Sequence, residues 1–262
     1  MGEAIDWREI AAALPNRFLS EWKASGRPVI GHFCSHAPEE LLSAAGALPV
    51  RLRGAGATST AHADAFLGSV NCSFVRYTLE RILSNGDDFL DGVVVTNSCD
   101  HIRRLCDVLD ATGWRGLNLY FDLPHVGSDE ARERLCAQLE ALRARLEQAL
   151  GVRIGEAELA AAVRLHNRTR AILRRAARLR EESPRSVRAS DLLALSVAAS
   201  AMPRQVFNDL AEQWLEQQQQ QRQAPSDSRR PGPRLLVVGG ILDDPGFLDL
   251  LESVGATVVA DS

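Results

Sequence analysis

The chain has 262 residues, enough for two domains of ordinary size, and 30 Lys+Arg against 34 Asp+Glu give it a net charge of −4. This mildly acidic balance, with Lys23 the only lysine, excludes general nucleic-acid binding, which needs a basic footprint. No apolar run reaches the roughly 18–20 residues of a membrane span, and the early acids exclude a secretory signal, so a cytoplasmic protein without membrane contact is expected. Pro28–Phe33 reads as a buried strand, Pro38–Ala45 as a short helix capped by Gly46, and Leu48–Leu52 as the next strand. Val75, Leu79, Ile82 and Leu83 form a helical stripe, and the Val-rich Gly92–Thr96 is a strand. Ile102, Leu105 and Leu109 mark another helix, and Leu117–Phe121 another strand. Strands alternating with helices predict a parallel, Rossmann-like α/β domain over residues 1–127.

Residues 128–223 change character. Leu135, Leu139, Leu142, Leu146 and Leu150 recur at helical spacing, and further helices are expected over Glu156–Arg180, Ser190–Met202 and Arg204–Gln219. The glutamines from Gln217 to Gln221 and the polar, Pro-containing stretch after them read as leading into a linker, set at 224–233. Residues 234–262 start again, with a strand from Arg234 to Val238, a helix from Phe247 to Val254 and a strand from Thr257 to Val259. Two strands and one helix cannot bury both faces of a sheet. This stretch therefore either joins the first sheet or is the beginning of a second α/β domain, cut short, and the second reading is preferred.

Five cysteines without any Cys-x-x-Cys pair are metal ligands, reactive thiols or core residues rather than disulfides in such a chain. Cys34 and Cys99 follow strands, and Cys34, Cys72 and Cys99 all precede helices. Ligands of open α/β sheets bind at that edge, and helix N-termini favour thiolate over thiol. The three thiolates are thus candidates for one shared metal centre, alongside the plainer reading of free cysteines as small buried apolar groups. That plainer reading is preferred for Cys106 and Cys136. His32, His36 or His101 would complete a structural zinc site of three cysteines and one histidine. Glu39 and Glu40, in a first helical turn, need no role beyond the helix dipole. No GxxxxGK[ST], GxSxG or HExxH motif occurs.

The segment Cys34-Ser35-His36-Ala37-Pro38-Glu39-Glu40, continuing through Leu52, resembles the opening motif of the 2-hydroxyacyl-CoA dehydratase family, which includes benzoyl-CoA reductase subunits. Asn71-Cys72-Ser73-Phe74-Val75-Arg76-Tyr77 and the stretch from Phe89 to His101 resemble the family in the same order, and Gly239–Val259 resembles the start of its second α/β domain. The resemblance implies an iron–sulfur cluster, commonly [4Fe-4S], held by Cys34, Cys72 and Cys99, with one iron left to a non-cysteine ligand. It implies a subunit of a lyase that eliminates water from a 2-hydroxyacyl-CoA through a ketyl radical after one-electron reduction. The partners implied are the acyl-CoA substrate, a paralogous second subunit and an ATP-dependent activator. It assigns no proton-transfer residue. A benzoyl-CoA reductase-type subunit, a structural zinc protein and a non-catalytic paralogue remain as alternatives.

Overall fold

Short Val- and Leu-rich runs form strands here, and the chain between them carries apolar residues at helical spacing. The computed structural model describes residues 5–54, 56–84, 86–182, 187–221 and 232–261. The chain divides into two compact units, Phe18–Arg164 and a second made of Met1–Arg17 with Leu165–Ser262. Helix α1 is Trp7–Ala12 and α2 is Arg17–Ala24. The first unit then runs β1 (Val29–His32), α3 (Glu39–Ala44), β2 (Leu48–Arg51), a 3-10 turn at Ala63–Ala65, and α4 (Ser73–Leu83). It continues with β3 (Gly92–Thr96), α5 (Asp100–Ala111), β4 (Leu117–Phe121) and α6 (Asp129–Leu150). The boundary between the units falls within α7 (Glu156–Glu182).

The four strands form one wholly parallel sheet in the order β2-β1-β3-β4. This bears out the α/β expectation and refines it: the strand order is that of flavodoxin-like rather than dinucleotide-binding doubly wound sheets. The chain moves outward from β1 to β2, then returns to the far side of β1 and moves outward from β3 to β4. Right-handed crossovers in opposite directions put α3 and α5 on opposite faces. On one face Ile30, Val94, Leu119 and Phe121 pack with Leu41 and Leu42 of α3 and with Leu142 and Leu146 of α6. Gly92 lets β3 and β4 pair closely, since a Cβ there would lie 2.7 Å from the Leu117 carbonyl oxygen.

The second unit is built on α8 (Ala189–Ala199), which is buried on nearly every side. That explains a helix that is apolar all round. Among the described residues, no helix is long and apolar enough to cross a membrane. Helix α8 packs against α1, α9 (Arg204–Gln221), α10 (Pro245–Ser253) and β6 (Thr257–Asp261). The Arg8 guanidinium holds α1 to α8 and α10 by donating to Asp191, Ser190 and Asp249 at 2.5–2.9 Å. Strand β5 (Arg234–Val237) pairs in parallel with β6 as a two-stranded sheet.

Three differences from the sequence reading have physical causes. Helices α1 and α2 were not expected, although Asp6 is a clear cap whose carboxylate accepts from the Arg8 and Glu9 amides. The glutamines from 217 to 221 continue α9 rather than opening a linker, as befits a good helix former. Residues 224–231 of the expected linker lie outside the described residues. Cys136, expected in the core, is exposed on α6. The buried stripe of that helix runs through Ala131, Leu142 and Leu146, with Leu135 and Leu139 partly buried beside it. One residue past Leu135 turns the side chain about 100° away.

A buried carboxylate ties α4 to the segment that precedes it. Glu80 accepts from the His62 and Ala63 amides at 2.8 and 3.0 Å, and its other oxygen lies 2.7 Å from His62 Nδ1. Burial alone would raise its pKa, but these hydrogen bonds and the His62 ring outweigh it and hold the carboxyl below its ordinary value. A carboxylate lowered on folding contributes stability that is present above its unfolded pKa of about 4.3 and is lost as pH falls through the folded value. Glu80→Gln is therefore expected to cost about 1–3 kcal/mol at neutral pH. Chemical denaturation as a function of pH should find that the wild type loses more stability than Glu80→Gln on acidification below the unfolded pKa.

Candidate functional site

All four strands of the parallel sheet end at one edge, and the crevice between β1 and β3 at that edge is the topological switch point. Cys34 lies two residues past β1 and Cys99 three residues past β3, so they flank this crevice. Cys72 enters from the crossover between β2 and β3 as the N-cap residue of α4. Cys99 is the N-cap of α5, and its sulfur accepts from the Ile102 amide at 3.4 Å. Helices α4 and α5 pack against each other.

One side-chain hydrogen bond joins two of the three loops, and the Ser98 side chain, beside Cys99, is near enough to Cys34 to help hold its thiol below the ordinary value. Asn71, beside Cys72, accepts through Oδ1 from His101 Nδ1 at 3.2 Å, on the first turn of α5. Asn71 also donates to the Gly68 carbonyl at 3.1 Å, which fixes the turn that presents Cys72. The Cys34 loop is pinned separately. Buried His32, the last residue of β1, donates from Nδ1 to the Cys34 carbonyl at 3.0 Å, while its Nε2 lies 3.4 Å from Glu39 on α3.

The expectation that all three cysteines sit at helix N-termini holds for Cys72 and Cys99 only. Cys34 stands four residues before Pro38, the cap residue of α3, and its thiol is activated by side chains instead. Burial pushes this thiol up. Ser98, together with the hydrogen bond and charge of His36, whose Nδ1 is 3.1 Å from the sulfur, overcomes burial and brings it to about 7. Cys34 is half-buried, and Cys72 and Cys99 are exposed. Cys106, half-buried in α5, is pushed up by burial and by Asp110, as suits an inert thiol.

The histidines proposed as a fourth ligand are engaged otherwise: His32 with Cys34 and Glu39, His36 with Cys34, and His101 with Asn71. Among the described residues, no three His, Cys, Asp or Glu side chains converge closely enough to grip a single metal ion. The three thiols instead occupy separate loops around one crevice. A polynuclear group, whose metal atoms are themselves spread apart, suits such a donor set better than one tetrahedral ion does. Ser98 and Asn71 entered the sequence reading only as members of the family-resembling segments around Cys99 and Cys72, with no role of their own.

An open cavity of about 370 Å³ lies one loop further along the edge, walled by Asn97, Leu123, Pro124, Val126 and Arg134. Several of its polar groups are occupied with one another. Asn97 clamps Leu123 through both amide and carbonyl, Arg134 pairs with Asp122, and Ser128 caps α6.

The model of the 2-hydroxyglutaryl-CoA dehydratase D-component family matches residues 34–262. The chain belongs to that family. The match opens on Cys34 and includes all three cysteines of the edge. Over 248 residues the chain is 29% identical to a benzoyl-CoA reductase subunit of Thauera aromatica, covering 92% of this chain and 63% of that one. It is 25% identical to the beta subunit of lactoyl-CoA dehydratase from Anaerotignum propionicum, covering 95% and 66%. It is also 25% identical to the beta subunit of (R)-2-hydroxyglutaryl-CoA dehydratase from Acidaminococcus fermentans, covering 95% and 65%. The chain thus spans about two-thirds of the length of these relatives, each of which is named as a subunit.

The thiol assignments have a direct consequence. In reduced, metal-free protein, Cys34 is expected to alkylate with a midpoint near pH 7 and to slow about tenfold per pH unit below it, as thiolate is lost. Cys106 should need a more alkaline pH. Mass spectrometry of iodoacetamide-labelled peptides across a pH series measures both.

Proposed function

We propose that the chain is the iron–sulfur subunit of a 2-hydroxyacyl-CoA dehydratase-type enzyme, with Cys34, Cys72 and Cys99 holding a [4Fe-4S] cluster. The observation that carries this reading is the placement of Cys34 and Cys99 just past the neighbouring strands β1 and β3, with the Cys72 loop tied to α5 by the hydrogen bond from His101 to Asn71. Membership of the dehydratase D-component family supports it. When bound, such a cluster would supply one low-potential electron to the thioester carbonyl, for elimination of water by a ketyl-radical route, together with an open iron position.

The residues of the chain have separate tasks in this reading. Cys34, Cys72 and Cys99 provide the thiolates. His32 orients the Cys34 loop through its carbonyl, and His101 holds Asn71 so that Cys72 stays at the edge. Exposure of Cys72 and Cys99 leaves that side of the crevice open, to a thioester or to the paralogous subunit that completes the site. The electron would come from an ATP-dependent activator, as the family resemblance implies.

A second reading, a benzoyl-CoA reductase-type subunit, is favoured by the 29% identity to the benzoyl-CoA reductase relative against 25% for two dehydratase relatives. Assays with the paralogous subunit and activator, offering a 2-hydroxyacyl-CoA or benzoyl-CoA, separate the two. For the cluster itself, anaerobically purified protein is expected to contain iron and acid-labile sulfide in comparable amounts. Cys34→Ala, Cys72→Ala and Cys99→Ala should each remove most of both, and Cys106→Ala and Cys136→Ala should not. Stoichiometric zinc without sulfide, or a Cys106→Ala protein that empties while Cys72→Ala stays loaded, would refute the assignment.

A further inference from the structure

The cavity further along the edge has no part in the arrangement of the cysteines. It opens between the loops that follow β3 and β4, and Asn97 in its wall stands two residues before Cys99. Its volume of about 370 Å³ falls within the range of small-molecule pockets. Its polar side chains have little left to offer a ligand. Asn97 donates to Asp122 Oδ1 at 2.5 Å and to the Leu123 carbonyl at 3.2 Å, and its own carbonyl accepts from the Leu123 amide at 2.7 Å. Arg134 pairs with Asp122, and Ser128 accepts from the Ala131 amide. Glu130 lies in the wall as well, so two carboxylates face one guanidinium, and a phosphate is poorly suited to this cavity. Two kinds of group are left open. Val126 is 71% exposed, an apolar side chain held in water beside Leu123 and Pro124. The main-chain amides of His125 and Val126, both exposed residues, have no hydrogen-bond partner among the described residues. An apolar wall with backbone donors and no spare positive charge complements a slender, uncharged chain that carries methyl groups and amides.

We propose that this cavity holds the pantetheine arm of a CoA thioester whose carbonyl lies at the switch-point crevice. The inference rests on the dehydratase-type reading above. The arm is narrow and uncharged. Its gem-dimethyl group matches the wall of Leu123, Pro124 and Val126, and its two amides are partners for the free amides of the His125–Val126 stretch. Neighbouring strands lie about 5 Å apart. A chain that leaves the crevice past Cys99, which is exposed, needs only that step to reach the loop after β4. The nucleotide end of CoA stays outside, because Asp122 and Glu130 repel its phosphates.

The test is calorimetric titration of the full chain, purified anaerobically and assayed for iron and sulfide, with acetyl-CoA, S-acetylpantetheine and ADP. Acetyl-CoA and S-acetylpantetheine are expected to bind with affinities within about tenfold of each other, and ADP, which lacks the arm, should not bind. Val126→Glu changes an exposed position, adds a carboxylate to the wall and should weaken acetyl-CoA about tenfold or more. Val126→Ile, which keeps the wall apolar, should bind as the wild type does. Val152→Glu makes the same change just past the opposite end of α6 and should leave binding unchanged. Wild type that does not bind acetyl-CoA, equal binding by wild type and Val126→Glu, an equal loss in Val152→Glu, or binding of ADP in place of S-acetylpantetheine overturns the inference. If iron and sulfide are present in that sample, the cluster reading stands. Protein that binds acetyl-CoA through Val126 but holds no iron or sulfide upholds the arm site and refutes the cluster.

Discussion

Because β1 and β3 run parallel and pair directly, with Ile30, Gly31 and His32 opposite Gly92, Val93 and Val94, the chain leaves both strands at the same edge. Each exit carries a cysteine. An antiparallel pair would send one of these loops to the opposite end of the sheet, more than a strand length away. The reversal of direction between β1 and β3 also opens the crevice into which a ligand can settle, since α3 and α5 depart to opposite faces. The position of the candidate site is thus a consequence of strand order.

Cys72 is the exception to this simple rule, since it follows no paired strand. Its place depends on the packing of α4 against α5 and on the hydrogen bond between Asn71 and His101. Glu80 contributes from below, by fastening α4 to the turn at His62 and Ala63. The edge is therefore built in two steps: backbone pairing aligns Cys34 and Cys99, and side-chain hydrogen bonding adds Cys72. The same economy appears around Cys34, where His32 holds the carbonyl and His36 the sulfur of one residue. Family membership from residue 34 onward agrees with the view that these segments form one functional unit.

Much of this was legible in the residues. Runs such as Gly92–Thr96 and Leu117–Phe121 declare strands by composition and length, and Leu142 and Leu146 declare a helix face by spacing. The placement of Cys34 and Cys99 just past strands, and of Cys72 just before a helix, followed from those elements. What could not be read is who sits beside whom. Apolar runs carry no label for their neighbours, so the order β2-β1-β3-β4 needed the structure. Asn71 looked like an ordinary loop residue, because its partner, His101, is distant in sequence. The short helices α1 and α2 escaped for the opposite reason. Their pattern is brief, although Asp6 as a cap with Trp7, Ile10 and Ala11 behind it was signal enough. Cys136 was misread because an apolar neighbour, Leu135, was taken as a guide to burial on a helix, where adjacent residues face different ways.

The central claim is that three cysteines, and no fourth protein ligand, hold one polynuclear iron group at the switch-point edge. Mössbauer spectroscopy of protein loaded anaerobically with iron-57 tests it most directly. The account predicts one iron environment distinct from the other three, and a change in that distinct environment alone when an acyl-CoA is added. Four equivalent irons, or a mononuclear iron spectrum, would contradict it.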